Sequence, residues 1–139
     1  MKIYKSYKTE LDPNNSQKTQ FMNASGCSRF VYNWGLERVK NRVSKPRSFS
    51  LSKELNSIKK SEFSWMYEVS KCVPQSTLGD LEEAFKNFFK KRSQYPKFKK
   101  RGASIESFRI FSWIKIQPDK IRIPKIGWVR LKEHNYIPQ

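Results

Sequence analysis

The sequence is poor in the residues from which most catalytic and metal centres are built. Against 29 lysines and arginines it has 12 acidic residues and one histidine, His134. Its two cysteines, Cys27 and Cys72, have no C-x-x-C spacing, so no zinc ligand set can be assembled. Both thiols are expected to be reduced and at least half-buried, as in a cytoplasmic protein. The five glycines, at 26, 35, 79, 102 and 127, are isolated, which excludes a glycine-rich phosphate cradle. No apolar run approaches the roughly 18 residues of a membrane span. Met1 to Lys8 lacks an apolar signal core, and no lipidation motif or long basic amphipathic helix points to a membrane surface. The expectations are a cytoplasmic location, no membrane partner, no metal and no cofactor.

The few acids are also badly placed for catalysis. On a helix Asp80 and Glu83 share a face while Glu82 points elsewhere, so a metal pair there is weaker than the simple reading of a solvated face. A Cys27 or Cys72 pairing with His134 rests on residue types alone. Nothing in these residues argues for an enzyme complete in itself.

What the sequence has is positive charge and aromatic rings. The net charge is +17 and the pI about 10.1, spread along the chain, a field that opposes compaction and attracts polyanions. Hydrophobic content is 37%, below the roughly 45–50% of globular proteins, but aromatics at 14% compensate, which implies a folded chain of 139 residues with a modest core. The densest tract runs from Lys86 to Arg101, with eight lysines or arginines, four aromatics and no acid. Such a tract suits phosphates and bases. Phe85, Phe88 and Phe89, at helical spacing, read more simply as core.

The pattern along the chain is strand, helices, strands. Ile3 to Leu11 reads as a short strand ended by Asp12-Pro13-Asn14-Asn15. Asn14 and Gln17 fit a capping box for a helix over about 15–43, with a weak point at Ser25-Gly26. Ser50 is a candidate cap for a second helix with Leu51, Leu55 and Ile58 on one face. A short connection with one helical turn follows over 61–69, then a third helix from about Pro74 to Arg92, with Leu78, Leu81, Phe85, Phe88 and Phe89 on its apolar face. The segments 107–116, 120–124 and 127–132 read as antiparallel strands to which the first strand returns. The fold class expected is α+β, with helices inserted into a small antiparallel β-barrel. Trp128 is expected in the barrel core.

Three linked patterns make the reading specific. They are Leu11-Asp12-Pro13-Asn14 to Gln17 with Gly26-Cys27-Ser28-Arg29-Phe30-Val31-Tyr32-Asn33-Trp34; Leu81 to Phe89 with Tyr95-Pro96-Lys97-Phe98-Lys99; and Ser107-Phe108-Arg109 ahead of Ile123 to Val129. In this order and spacing the chain resembles the N-terminal part of the TnpB proteins, RNA-guided nucleases of insertion sequences also labelled OrfB transposases and related to type V CRISPR effectors. The resemblance covers nearly the whole chain. It implies a wedge-type, oligonucleotide-binding-like barrel from residues 1–12 and 103–139, and a helical recognition domain over 13–102 that contains the helix-turn-helix region. It also implies guide RNA and double-stranded DNA as partners. By position Lys71 and Gln75 fall where the family contacts its target-adjacent duplex motif. Glutamine pairs bidentately with adenine and lysine reaches guanine or phosphate. Cys72 stands where a family member carries an aromatic, and Ser112 or Trp113 falls near another contact. Arg29 and Asn33, four apart on one helix face, either contact nucleic acid or tie the helix to the barrel. The remaining candidate contacts are Lys90, Lys91, Arg92, Lys97, Lys99, Lys100 and Arg101.

In the family, cleavage uses three carboxylates of a RuvC-like, Mg²⁺-binding domain accompanied by a zinc ribbon. The sequence reaches Gln139 before either begins, so the chain is expected to be truncated ahead of that domain, to bind without cutting, and to have the missing nuclease half as a further partner. A stand-alone helix-turn-helix regulator and a non-functional insertion-sequence remnant are the alternatives. With about six phosphates neutralised, the log of nucleic-acid affinity falls against log salt with a slope of roughly −5. Fluorescence anisotropy across a salt series measures it, and a slope near zero would exclude binding through phosphates.

Overall fold

The computed structural model describes residues 2–103 and 106–139. Its elements in chain order are β1 (Leu11–Asp12), α1 (Asn15–Lys40), α2 (Ser48–Glu62), a 3-10 turn (Ser64–Glu68), α3 (Cys72–Phe89), β2 (Lys115–Ile116), β3 (Lys120–Ile123) and β4 (Gly127–Leu131). The class is α+β.

Helix α1 begins at the expected capping box. Asn14 Oδ1 accepts from the Gln17 N–H at 2.8 Å, and the Asn14 N–H donates to Gln17 Oε1 at 3.0 Å. The same Gln17 side chain donates through Nε2 to the Trp128 carbonyl at 2.7 Å, and Gln20 donates to the Lys125 carbonyl at 3.2 Å. The start of α1 is thereby fastened to the β3–β4 turn. The helix runs unbroken through Ser25-Gly26, because Ala24, Cys27 and Val31 continue one buried face across that point.

Helices α1 and α3 pack in the same direction. Ser28 faces Thr77 with their hydroxyls 2.8 Å apart, and since Thr77 donates to the Val73 carbonyl, Ser28 is the donor of the pair. Further along, Gly35 meets Leu78 and Leu81 so closely that an added Cβ would lie 2.8 Å from Leu81 Cδ2 and 3.1 Å from Leu78 Cδ2. Helix α2 runs the other way against both. Its first turn contains Ser50, but the expected Ser50 cap is not used. The helix starts two residues earlier, at Ser48, whose N–H donates to Glu82 Oε1 of α3 at 3.3 Å. The core between the three helices contains Val31, Leu36, Leu51, Leu55, Leu78, Leu81 and Phe85.

Both α1 and α3 stop three residues before the expected ends, at Lys40 and Phe89, and for one reason. At α1 the Val43 N–H returns to the Arg38 carbonyl and the Arg42 N–H to that of Val39, with Arg42 at φ 59°. At α3 the Arg92 N–H returns to Asn87 and the Lys91 N–H to Phe88, with Lys91 at φ 61°. Each is a Schellman closure with a left-handed residue, a place glycine usually takes. The left-handed conformation costs an L-residue about 1–2 kcal/mol.

The sheet is antiparallel with strand order β1-β4-β3-β2, and Leu11 pairs with Leu131. It is open among the described residues, not the closed barrel expected, because both edge strands are only two residues long. Two expected strands shrink. Residues 3–10 contribute no ladder of their own and lie beside the chain's far end through the Lys132 N–H to the Glu10 carbonyl and the Tyr7–Tyr136 ring contact. Over 107–116 only Lys115–Ile116 is strand. Phe108 and Ile110 instead pack on the helical core, and Phe108 stacks on Phe21 of α1. Trp128 is 38% exposed beneath the Lys120 ammonium, outside any barrel core. Phe85 is buried, Phe88 half-buried, and Phe89 is 64% exposed, so the aromatic face of α3 is core only in part.

Two of the three helical glycines, Gly35 and Gly79, are predicted to respond in opposite ways. Gly35→Ala forces Leu78 and Leu81 to move and lowers stability by about 1–3 kcal/mol. Gly79→Ala, with no atom within 4 Å of the new methyl, raises it by about 0.5–1 kcal/mol through helix propensity. Urea midpoints moving in the same direction would contradict the packing described.

Candidate nucleic-acid interface

The described residues contain five ion pairs: Arg29–Glu106 at 3.1 Å, Arg109–Asp80 at 2.9 Å, Lys132–Glu10 at 2.8 Å, Lys86–Glu82 at 4.0 Å, and Arg38–Glu54. With 29 cations in the chain, most of the positive charge has no acid to meet. Exposed pairs of this kind contribute about 0–1 kcal/mol each, so their effect is to place segments. Asp80 is engaged by Arg109, and no group of three or more His, Cys, Asp or Glu converges among the described residues.

The candidate residues lie at the two ends of α3 and on the segment that runs back beside it. At its start, Lys71 and Gln75 are both exposed and one turn apart, the Gln75 N–H donating to the Lys71 carbonyl. The segment entering β2 runs beside this turn, with Ser112 Oγ 3.4 Å from Cys72 Sγ and the Ser76 hydroxyl donating to the Arg109 carbonyl at 3.4 Å. Ser112 and Trp113 are therefore close to Lys71 and Gln75. Trp113 is 79% exposed at φ 67°, an outlying conformation for so bulky a residue. Beyond it lies a concavity of about 710 Å³ lined by Trp113, Lys115, Arg122, Lys125 and the apolar Ile114, Ile123 and Ile126. This pairing of an exposed ring with cations suits a base and its phosphate. Sequence alone does not single out Lys115, Arg122 and Lys125, because alternation marks them only as the outward side of strands and a turn.

At the other end of α3, Lys90, Lys91 and Arg92 are exposed; Lys97, Lys99, Lys100 and Arg101 are also exposed but lie on the segment that returns along α1, with Lys99 near Ser76 and Asp80 and Arg101 near Ser70 and Val73. Asn33 holds the second group in place, its side chain donating to the Lys99 carbonyl at 2.8 Å and accepting from the Lys99 N–H at 2.7 Å. Lys99 Nζ lies 4.6 Å over the Tyr32 ring and Lys40 Nζ 5.4 Å over Phe98. Arg29 is committed to Glu106. In this structure Arg29 and Asn33 thus fasten the connecting segment to α1. Lys71 and the Lys90–Arg92 group flank the 18 residues of α3, roughly 27 Å at 1.5 Å per residue. That span matches about eight base steps of a duplex at 3.4 Å each.

Comparison with known proteins agrees with a nucleic-acid role. Residues 1–47 match the family HTH_OrfB_IS605, described as a helix-turn-helix domain. Within that stretch the structure has one helix, α1, and the next begins at Ser48. The chain is 31% identical over 144 residues to InsQ of Escherichia coli (strain K12), named as a proposed RNA-guided DNA endonuclease, covering 99% of this chain and 36% of that protein. It is 36% identical over 120 residues to a Streptomyces pristinaespiralis protein of the same description, covering 80% of this chain and 30% of that one. The chain thus spans about a third of the length of the curated relatives it matches.

The two buried thiols differ in chemistry. Burial pushes Cys27 up to about 11 despite the opposing charge of Lys59. At Cys72 burial also favours the thiol, but hydrogen bonds from Ser112, Ser70 and the backbone at Phe111 and Ser112 outweigh it and lower the pKa. Because the thiolate is the nucleophile, iodoacetamide at pH 8 on the native chain is predicted to modify Cys72 at least about tenfold faster than Cys27. Peptide mapping against time measures this, and equal rates would mean that the Cys72 environment is not as described.

Proposed function

We propose that this chain, with its OrfB_IS605-type helix-turn-helix match, is the nucleic-acid-binding part of a TnpB-like RNA-guided DNA nuclease. It binds guide RNA and the duplex DNA beside the target, in the cytoplasm, and contributes binding while cleavage resides in a separate nuclease part. Residues 13–102 form the recognition domain, and residues 1–12 with 103–139 the wedge domain. The observation that carries the reading is the arrangement along α3, with Lys71, Gln75 and the exposed Trp113 at one end, the Lys90–Arg92 cluster at the other, and the Lys97–Arg101 segment running back beside the helix between them. The first group has base-reading chemistry, since glutamine and lysine discriminate base edges in a major groove. The second consists of long cations suited to phosphates, which position a ligand without reading its sequence.

The division predicts two distinct phenotypes. Lys71→Ala and Gln75→Ala reduce discrimination among duplex DNA sequences by about 1–3 kcal/mol at the positions read, leaving the salt slope nearly unchanged. Replacing Lys97, Lys99, Lys100 and Arg101 by Gln weakens binding to an RNA hairpin and flattens its salt slope by roughly 0.9 for each phosphate no longer neutralised. Anisotropy titrations with a randomised duplex pool and a structured RNA measure both. Binding to one duplex site with no affinity for structured RNA would favour a stand-alone regulator.

A further inference from the structure

We propose that the end of the helical bundle where α1 and α3 both terminate is a phosphate-binding surface for a nucleic-acid backbone, centred on Arg42 and Lys91. The inference rests on the reading of the chain as a nucleic-acid-binding protein, and adds a surface that includes the α1–α2 connection.

Two helices of this chain end in the same way, each with a left-handed residue in its Schellman closure, and both of those residues are basic. Glycine would take that conformation without steric cost. A cation near a helix C-terminus does favour the helix dipole, but that effect is already available from Lys40 and Lys90, which sit one or two places earlier in unstrained backbone. The dipole therefore does not account for charge at the strained position. Neither Arg42 nor Lys91 enters an ion pair among the described residues, and both are exposed. Side chains retained against backbone strain point to a role outside the fold.

The two positions also face the same ligand. Because Ser28 meets Thr77 and Gly35 meets Leu78 and Leu81, α1 and α3 advance together and finish at one end of the bundle. The N-terminus of α2 is at that end too, where the Ser48 N–H reaches Glu82. The connection that carries Lys45 and Arg47 therefore meets α3 about two turns before Lys90. Of the nearby acids, Glu54 is engaged with Arg38 and Ser44, and Glu82 with Ser48 and Lys86. Glu37 and Glu83 are exposed without an ion pair among the described residues, Asp80 is engaged with Arg109, and Glu62 is at the far end of α2. The balance strongly favours an anion, and several cations spread over three segments fit a row of phosphates better than one small ion.

The test is a pair of measurements on the full chain, thermal unfolding and salt-dependent binding, with a 20-bp DNA duplex and an RNA hairpin as separate probes. Arg42→Gly and Lys91→Gly each raise Tm by about 3 °C through relief of strain. Each also weakens binding to at least one probe by roughly 3- to 8-fold at 0.1 M salt and lowers the salt slope by about 0.9. The arm that responds identifies whether the phosphates are those of DNA or RNA. Lys91→Arg keeps both the wild-type Tm and the wild-type affinity. A rise in Tm with unchanged affinity and slope on both probes would overturn the inference while leaving nucleic-acid binding intact. A fall in Tm would overturn its premise of strain. Failure of the wild-type chain to bind either probe would instead overturn the functional reading on which it rests.

Discussion

The missing side chain at Gly35 is the constraint on which the arrangement depends. Leu78 and Leu81 occupy the space a Cβ would need, so the α1 backbone at Gly35 packs directly on these α3 side chains with the two helix directions aligned. Once that alignment is set, the start of α3 falls beside the segment carrying Ser112 and Trp113, while its end falls beside the end of α1. Helix α2 fills the remaining side through Leu51 and Leu55. One small residue in the middle of a 26-residue helix thereby decides which cations share a face.

A chain so short of carboxylates has to accommodate its lysines by other means. Aromatic faces supply one. Lys40 lies over Phe98, Lys59 over Tyr67, Lys99 over Tyr32 and Lys120 over Trp128. A ring quadrupole attracts a cation without neutralising it, so the protein orders these side chains while its outward field persists. The exception is Lys59, which is buried and whose pKa is lowered by that burial. Neutral groups do similar work on the backbone, as where the Asn33 amide holds Lys99 from both sides. Two of the acids that pair, Glu106 with Arg29 and Asp80 with Arg109, hold the segment on either side of Phe108 against the helices.

How much of the structure is legible in the sequence follows from how local each signal is. The Asn14–Gln17 capping box, the three helices, the 3-10 turn and the β3–β4 hairpin depend on neighbours a few residues away, and all are found. The segment 107–116 departs from its strand reading because β-branched and aromatic alternation reports burial on one side without saying what covers it. Here Phe108 and Ile110 are covered by helices. The Ser50 cap gives way because Glu82, 34 residues from Ser48, offers a better-placed acceptor. Of the candidate contacts, Arg29 and Asn33 leave two readings open in sequence, since nothing local reveals Glu106 and Lys99 as partners. The Trp113 outlier and the cations beyond it depend on backbone angles that no residue pattern announces.

The joining of Leu11 to Leu131 has a consequence in time. Each helix is built on hydrogen bonds close in sequence, and even the α1–α3 packing of Ser28 on Thr77 spans only 49 residues, less than half the separation of the two paired strands. The first strand depends on the last, and a growing chain at about 5–20 residues per second needs roughly 6–24 s to produce the residues between them. Gln17 shares this dependence, because its two bonds with Asn14 are local and the third waits for Trp128. The first element of the chain to be synthesised is thus the last to find its partner.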